Sequence, residues 1–194
     1  MPIIVGIDPQ PRVLAVHIRE NNKTLHWFEH VLIKKSKTER VQDWQEHVYN
    51  NCEILWNKIN KLTSAKIDLV CIEQQKGRVN IILEQTLFII FLQKKINVYI
   101  VHPTVWKKKT NVLCTKNHRK NKLEVVKIVG PKLEQYATDN NITFQKTSIH
   151  DLCDAEKISE AGWHYLISKL PNENISEQQK CQIELSKDRN MQGY

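Results

Sequence analysis

Four acidic residues, far apart along the chain, stand where an acid needs a reason. Asp8 closes the apolar run IIVGI (residues 3–7), and Glu73 closes IDLVCI (67–72). If these runs are adjacent parallel strands, both carboxylates emerge at one end of the sheet, the end at which open α/β sheets bind ligands. Asp151 and Asp154, in SIHDLCDAEKIS (148–159), are spaced i, i+3 and so share one helical face. Gathered in one place, ionised carboxylates repel and raise one another's pKa unless a cation neutralises them. Oxygen-only donors suit Mg²⁺ or Mn²⁺ and argue against Zn²⁺, which prefers Cys and His. Two such ions, roughly 3.5–4 Å apart, can activate water and stabilise the leaving oxygen in an in-line attack on phosphate. Local roles compete for each acid taken singly. Asp8 could order an Asx-Pro turn with Pro9, Glu73 could mark a strand reaching water, and Ser148 with Asp151 resembles an S-x-x-D capping box. Asp154, one turn deeper, has no such local role.

The distribution of charge points to the partner. Residues 107–132 carry nine basic side chains (Lys107, Lys108, Lys109, Lys116, Arg119, Lys120, Lys122, Lys127 and Lys132) against the single acid Glu124. Twenty basic and twenty acidic residues remain elsewhere, so the whole net charge of +8 sits in one stretch. That concentration favours a polyanion, nucleic acid above all, over a merely solvated loop.

The elements that must position these residues follow from apolar spacing. Residues 3–8, 12–19 and 24–34 read as three strands joined by the turns Pro9–Pro11 and Asn21-Asn22-Lys23, an antiparallel meander with the first strand inside the sheet. Residues 41–62 have helical spacing, 67–72 form a fourth strand, 79–95 a helix, and 97–101 a fifth strand closed by His102-Pro103. A basic loop follows. After it the sequence predicts a helix from about residue 119, interrupted at Gly130-Pro131 and resumed to Tyr136, and a last one over 151–170. The order implies a mixed α/β sheet flanked by helices. Residues 1–170 read as one domain, and 171–194 as a polar tail with a short helix near 176–186. In the helix at 79–95, Val79, Leu83, Leu87, Ile90 and Phe91 can face the sheet, whereas Ile82, Phe88, Ile89 and Leu92 lie around the other side. A helix apolar all round in so small a chain suggests a homodimer contact.

At this point GIDP (6–9), CIEQQ (71–75) and DLCDA (151–155), with their intervals, resemble the ribonuclease H-like fold. More narrowly they are similar to the RuvC family of Holliday junction resolvases, in its poxvirus and mitochondrial branch, over about residues 1–170. The resemblance implies a dimeric Mg²⁺-dependent endonuclease that nicks two opposed strands of a four-way DNA junction, leaving 5′-phosphate and 3′-hydroxyl ends. It implies two ions per site, with Mn²⁺ as a substitute, held by Asp8, Glu73, Asp151 and Asp154. It also implies a basic residue beside the active site, here Lys122 by its place at a helix start, with Arg119 and Lys120 as rivals. Lys107, Lys108, Lys109, Lys116, Arg119 and Lys120 would bind DNA, and Arg78 and Asn80 would touch it at the crossover or cap the following helix. Family members usually carry Gly where Gln10 stands; Pro11 restricts Gln10 to extended conformations, so this turn is built differently.

Other constellations carry less. Gln75 could orient substrate near Glu73, Trp106 and His118 could stack on unpaired bases, and His150 could assist as a ligand or proton carrier. Cys114-x-x-x-His118 lacks the second pair a zinc site needs. Five scattered cysteines without C-x-x-C read as reduced thiols of an intracellular protein. LFIIFL (87–92), the longest apolar run, is far too short to span a bilayer, and the N-terminus does not read as a secretion signal. Composition thus argues against a membrane protein and a disulfide scaffold, and no small-molecule cofactor is expected. Two alternatives share the fold: a nuclease of RNA–DNA hybrids or RNA intermediates, and a non-catalytic binder of branched DNA. Resemblance to the viral branch implies work at the site of viral DNA replication, in recombination or repair of branched products.

Overall fold

The sheet is organised around one strand with no exposed face. In the computed structural model, which describes residues 1–32, 40–63, 65–112 and 115–169, every residue of β1 (Ile3–Pro9) is buried. It pairs antiparallel with β2 (Val13–Glu20), which pairs antiparallel in turn with β3 (Lys23–Val31). The hairpin between them turns on Asn21 at φ 51°, a left-handed conformation that Asn tolerates. On its other flank β1 pairs parallel with β4 (Ile67–Glu73), and β4 with β5 (Val98–Val101). The order β3-β2-β1-β4-β5 is the mixed five-stranded sheet that hairpin-linked and helix-linked strands require. The expected tail at 171–194 with its short helix, residues 33–34 of the third strand, and Cys114 and Cys181 lie outside the described residues.

Alternation along the strands sorts the two faces. Ile3, Val5 and Ile7 of β1, with Val70 and Ile72 of β4, pack under α1 (Val41–Leu62) and α2 (Arg78–Gln93). Ile4 of β1 and Leu69 and Cys71 of β4 pack on the opposite face, against α3 (Pro103–Lys109), α4 (His118–Asp139) and α5 (Ile149–Ile167). Asp8 and Glu73 continue this second alternation, so both leave the sheet on the α5 side. Gly6 lets α5 lie directly on β1: a Cβ there would stand 2.3 Å from the Ala155 carbonyl oxygen and 2.6 Å from the Ser159 nitrogen.

Four expectations are corrected. Lys107–Lys109 belong to a helix, not a loop: Pro103 opens α3 with its fixed φ, His102 accepts the Thr104 N–H at 3.2 Å, and Trp106 anchors it in the core. Pro131 does not interrupt α4, because it stands on the exposed side while Val125, Val129 and Leu133 bind the inner side across it. Val79 is exposed, and Glu84 is buried among the inward residues of α2 instead. Ser148 stands at the α5 N-terminus but makes no side-chain cap; its hydroxyl donates to Glu29 of β3. Glu29 also accepts the Gln145 N–H at 3.2 Å, so the sheet edge fastens the loop from which α5 starts. Among the described residues no helix is long and apolar enough to cross a membrane.

Candidate active site

The register of the sheet dictates the centre of the site. Ile7 pairs with Ile72, so the next residues, Asp8 and Glu73, emerge side by side at the same end of adjacent parallel strands. The first turns of α5 lie over that end and bring Asp154, with Asp151 half-buried beside it. Asp8 is 1 % exposed and Asp154 7 %. A cleft of about 410 Å³ opens onto Asp8, Glu73 and Asp154, with Lys107 and Lys122 among its walls.

Three of the four acids, Asp8, Glu73 and Asp151, are met by a donor side chain of the protein. Gln10 Nε2 donates to Asp8 Oδ1 at 3.0 Å. Gln10 has no left-handed backbone, so the turn is built without the Gly usual in the family the motifs resemble, and its side chain reaches back to the acid instead. Trp106 Nε1 donates to Glu73 Oε1 at 2.8 Å and Gln75 Nε2 to Glu73 Oε2 at 3.2 Å. Lys122 Nζ lies 3.5 Å from Asp151 Oδ1. As the side chains stand, no three His, Cys, Asp or Glu among the described residues are arranged around one metal position.

The electrostatics are those of crowded negative charge. Burial first, then the charges of Glu73, Asp154 and Asp151, hold the Asp8 carboxyl well above its usual range, with Gln10 opposing. Burial and Glu73 push Asp154 up to about 7, although Lys107 and Lys122 oppose the shift. Burial also raises Glu73, against hydrogen bonds from Trp106 and Gln75 and the charges of Lys107 and Lys122. Burial alone would lower Lys122, but Asp151, Asp154 and Asp8 outweigh it and raise its pKa. A donor set made only of carboxylate oxygens, mutually repelling and partly buried, fits a hard divalent cation.

This crowding has a consequence for stability. Between the ordinary value of 3.8 and about 7, the folded chain keeps a proton on Asp154 that the unfolded chain has released. Stability is therefore greatest at the acid end of that window and falls as pH rises through it. In EDTA the melting temperature should be lower at pH 8 than at pH 5, and Asp154→Asn should flatten the dependence. Scanning calorimetry of both proteins checks this; equal slopes would contradict it.

The remaining candidates divide by position. Lys122 reaches the acids, whereas Arg119 and Lys120 beside it are exposed and outside the cleft lining. Lys107 lines the cleft with its Nζ 4.6 Å from the Trp106 ring centroid. Lys108 and Lys116 are exposed on the surrounding surface. Lys109 turns away, towards the ring of Tyr165. Asn80 lines the cleft and donates to Gln75 Oε1 at 3.2 Å, while Arg78 is exposed at the start of α2. Trp106 is wholly buried and cannot stack on a base where it stands.

Sequence reasoning treated Gln10 only as a turn residue and passed over Glu29, Glu84 and Asn121. Glu84 accepts the Gln75 N–H at 2.5 Å, and Asn121 accepts the Thr115 N–H at 2.8 Å, each fixing a wall of the cleft. An acid in the middle of an apolar helix was a visible signal for Glu84. Glu29 depends on a contact between distant segments, whereas the Gln10 and Asn121 contacts are local but depend on how their turns fold.

No protein-family model and no curated protein matches the sequence. Solved structures do match the fold. RuvC of Thermus thermophilus, in a structure with a Holliday junction substrate and in a second structure, is similar at TM-score 0.54 and 14 % identity, over 86 % of this chain and 96 % of that one. Fowlpox virus resolvase in complex with Holliday junction DNA is similar at TM-score 0.51 and 16 % identity, over 84 % of this chain and 99 % of that one. The chain has the RuvC-like, ribonuclease H-like fold that its motifs resemble.

Proposed function

We propose that this chain is a structure-selective DNA endonuclease that resolves four-way junctions by divalent-metal-dependent hydrolysis of two opposed phosphodiesters, leaving 5′-phosphate and 3′-hydroxyl ends. One observation supports the reading above others: a buried Asp8, crowded by Glu73 and Asp154, at the floor of a cleft walled by Lys107 and Lys122. The fold adds to it, since similar structures were solved on Holliday junction DNA.

In this reading Asp8, Glu73, Asp151 and Asp154 would hold Mg²⁺ or Mn²⁺, two ions per site, which when bound supply activation of water and stabilisation of charge at phosphorus. The chain's own residues do the rest. The β1 and β4 backbones hold Asp8 and Glu73 still, as a preorganised site requires. Lys107 and Lys122 draw a phosphate into the cleft and offset its charge. Lys108, Lys116, Arg119 and Lys120 extend a basic surface that tracks the backbone of the junction arms without reading sequence. Arg78 and Asn80, at the rim of α2, face the strand crossover.

Two opposed cuts call for two sites. Ile89 and Leu92 of α2 are exposed, with Val79 and Ile81 nearer its start. A groove of about 280 Å³ between α1 and α2 is lined by Tyr49, Ile82 and Ile89. This apolar surface would join two copies of the chain, so that their clefts serve the two strands of one junction.

The test is a labelled four-way junction, a duplex and an RNA–DNA hybrid, each with and without Mg²⁺, alongside the mass of the protein in solution. The expected result is paired nicking of the junction only, requiring Mg²⁺, by a particle of two chains. Preferential cutting of the hybrid by a single chain would replace this reading with the hybrid-nuclease one. Binding without cleavage under any divalent ion would leave a junction-binding protein.

A further inference from the structure

Glu73 differs from the other acids of the cleft in being held at both oxygens by uncharged donors, Trp106 on Oε1 and Gln75 on Oε2. The Trp106 donor is the more rigid. Its indole is wholly buried, packed in the core formed by α3, α5 and the sheet. The helix carrying it is pinned at its start by Pro103 and the His102 cap, and Thr110 closes its end by donating to the Trp106 carbonyl at 2.9 Å. Such a ring has no freedom to follow a moving carboxylate, so the carboxylate must settle where the N–H points. Lys107 lies over the face of the same indole while lining the cleft, so one ring sets both an acid and a cation of the site. An ordinary core Trp buries its N–H against a backbone carbonyl or leaves it to water; this one spends it on a carboxylate that opens into the cleft.

We propose that Trp106 is a positioning residue: its indole N–H fixes the orientation of Glu73 so that the carboxylate faces Asp8 and Asp154 before any cation arrives. The inference rests on the metal-binding reading of the cleft. Groups that orient metal ligands typically change metal affinity or activity by about 10–100-fold when removed. With the ring kept in place beneath Lys107, loss of the N–H acts through Glu73, and the buried ring itself does not line the cleft.

The test replaces the N–H and keeps the ring. Trp106→Phe removes the donor at some cost in volume. Substitution of Trp106 by benzothienylalanine, in which sulfur replaces N–H, keeps the shape and covers the case in which the Phe variant folds poorly. The measurement is the affinity for Mn²⁺ of the full chain without DNA, followed by electron paramagnetic resonance, together with melting temperature in EDTA and the Mg²⁺ concentration for half-maximal junction cutting. The expected result is Mn²⁺ binding weakened by about 10–100-fold and a matching rise in the Mg²⁺ requirement, with the melting temperature of the benzothienyl protein unchanged. Wild-type Mn²⁺ affinity in the benzothienyl protein overturns the role of Trp106 and leaves the nuclease reading intact. If the unmodified chain itself binds no Mn²⁺, the metal-binding reading fails and this inference with it.

Discussion

An Asp8→Asn protein is expected to bind a four-way junction as tightly as the unmodified chain and to cut it at least about a thousandfold more slowly in Mg²⁺, equivalent to about 4 kcal/mol of lost transition-state stabilisation. Asn keeps the volume and one carbonyl oxygen of Asp but loses the charge at the most enclosed position of the cleft. Glu73 is committed to Trp106 and Gln75, Asp151 lies against Lys122, and Asp154 stands on α5 and not at the β1 end, so none of them supplies the missing charge there. The same substitution removes a carboxyl that burial, and then the charges of Glu73, Asp154 and Asp151, hold well above its usual range. In EDTA the variant should therefore melt at a higher temperature than the parent, the usual exchange of function for stability at a charged site. Junction binding in EDTA, single-turnover cutting in Mg²⁺ and calorimetry together check the prediction. Retained cutting would remove Asp8 from the site.

Gly6→Ala should be nearly as damaging by a mechanical route. The added methyl group would meet the Ala155 carbonyl oxygen at 2.3 Å, the Ser159 nitrogen at 2.6 Å and the Ser159 Cβ at 2.8 Å. Two of these are backbone atoms of a helix packed on the sheet, so no rotamer change relieves the clash, and α5 must lift. Overpacking typically costs about 1–3 kcal/mol and occasionally more. With backbone on the receiving side we expect the upper end, a fall in Tm of about 6–12 °C for a domain of this size. Asp154 rides on the displaced turn, one residue from Ala155. A displacement near 1 Å can cost about 100-fold in rate, so activity should fall even where the protein remains folded. Gly130→Ala is the control: a Cβ there meets only Val126 Cγ1 at 3.4 Å, inside α4, and Ala is worth up to about 1 kcal/mol over Gly in a helix. Thermal melts and cutting rates of the two variants should diverge in opposite directions.

What the sequence disclosed and what it hid have separate physical causes. β1 was legible because a strand buried on both faces cannot disguise its composition, and an acid at its end stands out. The sheet order followed from turn lengths, which leave few ways to connect five strands. α3 was misread because three consecutive lysines dominate its exposed side, while Pro103 was read as the end of β5 and the inward Trp106 as a base-stacking residue. α4 was broken at Pro131 on a local rule that tertiary packing on its other side overrides. Within the site, the acids could be read in one dimension because each ends or begins an element. The most rigid of their donors could not: Trp106 is 33 residues from Glu73, and only the folded chain makes them neighbours.

That dispersion has a consequence for the protein during its own synthesis. Asp8 leaves the ribosome well before Asp151 and Asp154, which follow only after the sheet and four helices have been made. Until that late helix docks against the strand carrying Gly6, a growing or prematurely terminated polypeptide lacks half of its acids. On the nuclease reading, the order of the elements would act as a safety catch, withholding cutting capacity from every incomplete copy.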